Sequence, residues 1–148
     1  MDRIINNEIV VICSLLHAMT LDVNDIARLY LYVVMASDRA IRKRLLSYTS
    51  YAELVRQESV YYRALNRKFV EFLPVILNAL TMLELSGKIE NTGNHRYELT
   101  EEGCKIALDL QGQVASIFGE VKQAVICLES FFSVKGVQVL YKDLMIVL

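Results

Sequence analysis

The chain has 148 residues and a mass of 16.9 kDa, the length of a single domain. Its 16 bases nearly balance its 17 acids, and 54% of its residues are apolar, with a mean hydropathy of +0.33. Exchanging the 8 Tyr of that count for the 6 Gly still leaves roughly 53%, above the usual range of roughly 45–50%. A disordered chain is excluded, because apolar surface is ample to offset chain entropy. The 6 Gly and 1 Pro exclude a collagen-like or low-complexity chain, and 3 irregularly spaced Cys exclude a disulfide scaffold.

The longest apolar stretch, Ile9 to Leu21, is interrupted by Ser14, His17 and Thr20. It falls short of the roughly 18–20 residues a membrane-spanning helix needs. Asp2 and Glu8 precede it, where a signal peptide carries bases. The reading is a soluble, reduced, cytoplasmic protein. A domain of this size buries only about 70% of its extended-chain surface, so the apolar surplus points to burial by other proteins.

In chain order, Asn6 or Asn7 is positioned to cap a first helix running to about His17, apolar nearly all round. Asp22, with Asp25 three residues on, is the expected cap of a second helix, Val23 to Met35. Its core stripe is Ile26, Leu29, Tyr30, Val33 and Val34, with Arg28 and Tyr32 off the stripe. Ser37 would cap a third helix, Asp38 to Tyr48, with Ile41, Leu45 and Leu46 inward. A break at Ser47–Ser50 precedes a helix from Tyr51 to Glu58. Helical spacing resumes from Ser59 to Phe72, and Pro74 fits the first turn of a new helix ending at Leu85, with Gly87 as C-cap.

The period then changes. Lys88–Asn91 and Arg96–Leu99 read as two short strands around the turn Thr92-Gly93-Asn94-His95. Thr100 caps a helix beginning Glu101-Glu102, which continues, bent near Gly112 or Gly119, to about Phe131. Val137, Leu140, Tyr141, Leu144 and Met145 give the tail a helical spacing. The fold class is mainly α with a small β-hairpin, one winged-helix-like α+β domain over 1–148. Its parts are N-terminal helices (7–58), a helix-wing-helix unit (59–118) and C-terminal helices (119–148).

The run from Leu83 to Gly103, a helix ending on Gly, a hairpin and a capped helix, resembles the second half of a winged-helix domain. The helix before such a wing reads DNA by presenting Arg, Lys, Asn or Gln to base edges. Here it is Pro74–Leu85, with Asn78, Thr81 and Glu84 among apolar residues and no Arg or Lys. That composition suits a core or a protein interface. An ordinary α/hairpin/α unit of an unrelated fold is the competing reading.

Charge is uneven along the chain. Residues 28–68 hold nine bases against Asp38, Glu53 and Glu58. The basic candidates for contact with an acidic partner or DNA backbone are Arg39, Arg42, Lys43, Arg44, Arg63 and Arg67. The plainer reading of any one of them is a solvated helix face. The C-terminal candidates are Phe131, Phe132, Tyr141 and Leu144, and exposed apolar residues are expected on the first helix, on the Phe131–Leu148 tail, or on both. No catalytic, cofactor or metal residue is assigned. His17 reads as a satisfied core histidine, His95 as a turn residue, and Cys13, Cys104 and Cys127 as small apolar groups. No Gly-rich phosphate loop, G-x-S-x-G or H-E-x-x-H occurs.

The segment Leu21 to Leu46 resembles the middle components of bacterial three-component ABC systems, which include the Lamassu anti-phage systems. There an apolar helix is followed by a polar break and a basic helix of the type T-R-E-x-L, matched here by Ser37-Asp38-Arg39-Ala40-Ile41-Arg42. The apolar helix and hairpin over Phe72 to Leu99, and Phe131-Phe132 followed by Val137–Leu144, agree with the pattern. Two departures stand out: Leu144-Met145 replaces a leucine-glycine, and helix two lacks an early proline. The resemblance implies a non-catalytic winged-helix adaptor that joins an SMC-like ATPase to an effector, commonly a nuclease, with DNA contact secondary. It implies no cofactor, membrane or small-molecule ligand. The alternative is a winged-helix transcription regulator that binds DNA.

Overall fold

The computed structural model describes residues 2–112 and 117–147, with side chains for residues 8–110 and 118–147. The elements are α1 (Asp2–Thr20), α2 (Ile26–Ser37), α3 (Arg39–Leu45), α4 (Tyr51–Val60), α5 (Tyr62–Leu85), β1 (Ile89–Gly93), β2 (Arg96–Leu99), α6 (Glu101–Gly112), α7 (Ile117–Phe132) and α8 (Val137–Asp143). The chain is mainly helical with a small antiparallel sheet. Among the described residues, no single helix is long and apolar enough to cross a membrane.

Helix α2 is the centre, packed by α1, α3, α5 and α7. Leu29 to Ser37 are all buried. The expected one-sided stripe is therefore too narrow. Tyr32, on the side opposite the stripe, is fully buried against Phe132 of α7, ring centroids 5.9 Å apart. Across the α1–α2 contact, Ser14 donates to the Val10 carbonyl at 2.8 Å and pairs with Ser37 at 3.2 Å, so neither buried hydroxyl lacks a partner.

Several helix starts differ from expectation. The α1 helix begins at Asp2, so Asn6 and Asn7 lie inside it rather than at its start. Asp25, not Asp22, caps α2, accepting from the backbone N–H of Ala27 and Arg28 at 3.1 and 3.2 Å. Asp22 instead holds a left-handed turn at φ 62°. Asp38 caps α3 through the Ile41 N–H, while Ser37 is the last residue of α2. A short Asx cap matches several donors in each place, so spacing alone leaves the register open by a few residues.

The largest difference is at Pro74, which sits inside a continuous 24-residue α5. A proline lacks the N–H that would reach the carbonyl four residues back, here Val70. Pro74 and Val70 both lie on the solvent side, so that carbonyl meets water rather than the core. On the buried side the Tyr30 hydroxyl donates to the Phe69 carbonyl, and the two rings meet edge to face at 4.9 Å. Tertiary packing thus carries the helix through the proline.

The hairpin forms where expected, but β1 runs on to Gly93 with a bulge between Asn91 and Gly93, which shortens the expected Thr92–His95 turn to two residues. Gly93 pairs with Arg96, and Asn94 and His95 both have positive φ (52° and 59°), which is a two-residue I′ turn. The Asn24–Ile26 segment before α2 runs beside β2, with the Tyr97 N–H on the Asn24 carbonyl and the Ile26 N–H on the His95 carbonyl. Gly87, at φ 75°, ends α5 with the Lys88 N–H returning to the Leu83 carbonyl. The helix run expected through Gly112 spans residues 113–116, which lie outside the described residues. Gly119 lies within α7.

Gly103 on α6 was not singled out by the sequence. A Cβ there would lie 1.9 Å from the Lys88 carbonyl oxygen, which also accepts the Thr100 N–H at 3.0 Å. Backbone meets backbone, so nothing can swing aside. Gly103→Ala is expected to cost at least about 2 kcal/mol in a denaturant titration, at the upper end of overpacking costs. Gly136→Ala, where the Cβ meets open space, should cost under about 1 kcal/mol. Equal effects would contradict this account of α6 docking.

Candidate functional site

The structure divides the expected interaction residues into two groups. Arg42 is 3% exposed and donates to the Ala36 and Ser37 carbonyls at 2.8 and 3.0 Å, closing the C-terminus of α2. Glu120 lies 3.6 Å from its Nε. Arg44 forms a two-pronged bond to Glu58 (Nε 2.8 Å, second prong 3.0 Å), and its guanidinium lies over the Tyr61 ring. Tyr48 also donates to Glu58, whose side chain is fully buried. Those bonds hold the Arg44 pKa above its ordinary value and tie α3 to α4. Phe132 and Leu144 are fully buried in the protein's own core. Arg42, Phe132 and Leu144 therefore serve the fold, correcting the expectation that they face a partner.

Phe131 and Tyr141 are half-buried and pack on the core, and Tyr141 donates to the Ala27 carbonyl at 2.6 Å. Arg39, Lys43, Arg63 and Arg67 are exposed, with Arg63 over the neighbouring Tyr62 ring. Arg28, which sequence reasoning left off the stripe, donates to the carbonyls of Phe132 (2.9 Å) and Lys135, closing the end of α7. An arginine inside an apolar helix was the available signal.

The tail is fastened down. Asn66 of α5 donates to the Met145 carbonyl at 2.9 Å and accepts the Val147 N–H at 2.8 Å, while Leu140, Leu144 and Ile146 are buried. On α1, described side chains from Val10 to Met19 are mostly buried, with Ile9 exposed. The expected exposed cluster on the first helix is thus largely absorbed by the core, whereas on the tail Val134, Val139, Met145 and Val147 stay exposed, as expected.

A further run of exposed apolar side chains lies on α5. Leu65, Phe69, Phe72, Ile76, Ala79, Leu80 and Leu83 form its buried side. Val70 (68% exposed), Leu73 (42%), Leu77 (46%), Met82 (60%) and Leu85 (83%) face outward. Positions 70, 73, 77, 81, 84 and 85 follow one side of the helix, with Thr81 and Glu84 its polar members. At 1.5 Å per residue the stripe is about 22 Å long. From Val70 to Leu85 it has no Arg or Lys, and its acids are Glu71 and Glu84.

His17 is 3% exposed between α1 and α7, beside Lys122. Neither ring nitrogen has a hydrogen-bond partner among the described residues, so the expected satisfied core histidine is buried but not satisfied. Burial, and secondarily the Lys122 charge, lower its pKa. Burial pushes the Cys13 thiol up to about 12, whereas Cys104 is exposed rather than packed.

No protein-family model, curated protein or solved structure matches the chain.

The His17 shift gives a pH dependence with a definite sign. Its folded pKa lies below the ordinary 6.5, so the unfolded chain binds the extra proton first. That contribution is fully present above pH 6.5 and is lost as pH falls toward the folded pKa. The denaturation midpoint should drop between pH 7.5 and 5.5, and His17→Leu should flatten that drop. An unchanged pH slope in His17→Leu would refute it.

Proposed function

We propose that this chain is a non-catalytic winged-helix adaptor, which joins an SMC-like ABC ATPase to an effector, a nuclease in the usual case, in an anti-phage defence complex. The observation that carries the reading is the outer side of α5, apolar and free of bases where a DNA-reading helix would present them. Apolar side chains at that density on one helix face suit another protein. The order α5, β1, β2, α6, with the Asn24–Ile26 segment beside β2, supports the winged-helix description. The resemblance of Leu21–Leu46 to the middle components of three-component ABC systems supplies the partners.

The DNA-binding regulator has one favouring observation, the exposed bases Arg39, Lys43, Arg63 and Arg67. Arg39 and Lys43 lie on α3, and Arg63 and Arg67 precede the stripe of Val70–Leu85 on α5, so they suit phosphate contact, while the stripe itself carries no base.

Co-expression with an SMC-like ATPase and nuclease encoded beside this gene should give one complex on size exclusion. Leu77→Glu should lower recovery of the chain in that complex at least tenfold. Separate elution of the wild-type chain would overturn the adaptor reading. Duplex binding that falls steeply with salt and prefers one sequence would favour the regulator instead.

A further inference from the structure

We propose that the cavity beside His17 binds a small monovalent anion, of chloride size, between the imidazole and the Lys122 ammonium. This site lies between α1 and α7, involves no residue of α5, and does not depend on the adaptor reading.

His17 is 3% exposed, and neither ring nitrogen has a hydrogen-bond partner among the described residues. Buried polar groups are as a rule paired, so a ring orphaned at both nitrogens marks a place for something the chain does not supply. The ring borders a cavity of about 30 Å³, walled by His17, Thr20, Leu21, Lys122, Val125 and Ile126. A water needs roughly 10–15 Å³ in the same measure, so one or two particles of that size fit. A chloride ion is only slightly larger than a water. Phosphate, sulfate and organic acids are too large. Leu21 and Ile126 are exposed, which leaves a way in from solvent.

Charge chooses between an anion and water. Lys122 is half-buried, forms no ion pair among the described residues, and acts on His17 as a like charge. The cavity wall comes from α1, the turn after it and α7, and it holds no carboxylate. Cys13, one turn back on α1, is no counter-ion either, because burial pushes its thiol up to about 12 and keeps it neutral. The site is therefore positive with the imidazole neutral, and doubly so once the ring takes a second proton, among apolar Leu21, Val125 and Ile126. Water answers the ring N–H but leaves that charge uncompensated. An anion accepts from the imidazole N–H and the ammonium together, and compensates the charge.

Anion and proton are linked. An anion beside the ring favours the imidazolium, so His17 holds its second proton more tightly when the site is filled. NMR titration of the two histidines of the full chain, in sodium chloride and in sodium gluconate, reads this directly. Each salt is held at about 0.15 M, so that screening is equal, and gluconate is too large for the cavity. In chloride His17 should hold its proton at least about twofold more tightly, a rise of about 0.3 pH in its titration midpoint. His95, exposed in the hairpin turn, should titrate alike in both salts and reports general salt effects. Lys122→Met should raise the His17 midpoint in gluconate, because a like charge is gone, and should remove the difference between the salts.

Equal His17 midpoints in chloride and gluconate would make the occupant water alone and overturn the proposal. Equal shifts of His17 and His95 would overturn it as a general salt effect. So would a chloride response that persists undiminished in Lys122→Met.

Discussion

Helix α2 buries nine consecutive residues, Leu29 to Ser37, and a helix without a solvent side needs neighbours on every side. Each large apolar side chain so buried contributes about 1.5–3 kcal/mol relative to exposure. That gain needs α1, α3, α5 and α7 to surround one segment. It also strands backbone carbonyls at the helix end, where water cannot reach. Arg42 supplies the donors to Ala36 and Ser37 from α3. A buried cation is itself costly, and the two carbonyls together with Glu120 at 3.6 Å offset part of its lost hydration. Arg28 plays the corresponding part at the end of α7. The apolar centre thus dictates where two of the arginines must go.

What the residues reveal on their own follows from the range of the forces. The hairpin was legible because Gly93-Asn94-His95 and Gly87 act through local backbone geometry, which needs no distant partner. The unbroken α5 was not. Proline is a local signal for a helix start, and its rejection here depends on Tyr30 and Phe69, 39 positions apart. Tyr32 looked off-stripe because periodicity describes one face at a time, and α7 covers the other. Gly103 carries no sequence signal, since its reason is the Lys88 carbonyl across a chain reversal. The resemblance through Leu21–Leu46 falls mainly on the most buried helix, so it speaks to core construction more than to an exposed site.

The same division separates the candidate site. The basic region over 28–68 looked like a single charged surface. In the fold it holds two carbonyl-capping arginines, Arg28 and Arg42, and the Arg44–Glu58 pair that ties α3 to α4. Sequence proximity grouped residues whose roles are set by burial. Charge at the surface is left with Arg39, Lys43, Arg63 and Arg67. The last two lie at one end of α5, which gives that helix a direction as well as an apolar side.

The apolar surplus of the composition is divided between the core and the surface. Most of it closes around α2, including most of the first helix and, from the tail, Phe132, Leu140, Leu144 and Ile146. Of what remains outward, one run lies from Val70 to Leu85, on a helix that already has a complete buried side, and another lies on the tail at Val134, Val139, Met145 and Val147. Exposed leucines at 42–83% do nothing for the isolated fold and raise the risk of unwanted association. A helix needing only to close the core would carry Lys, Glu or Gln at those positions, with better solubility and equal helix propensity. Base reading is no better a reason for them, because it requires the polar groups that are missing there. A protein surface that removes these side chains from water, and meets the bases at one end and acids at the other, accounts for both features together.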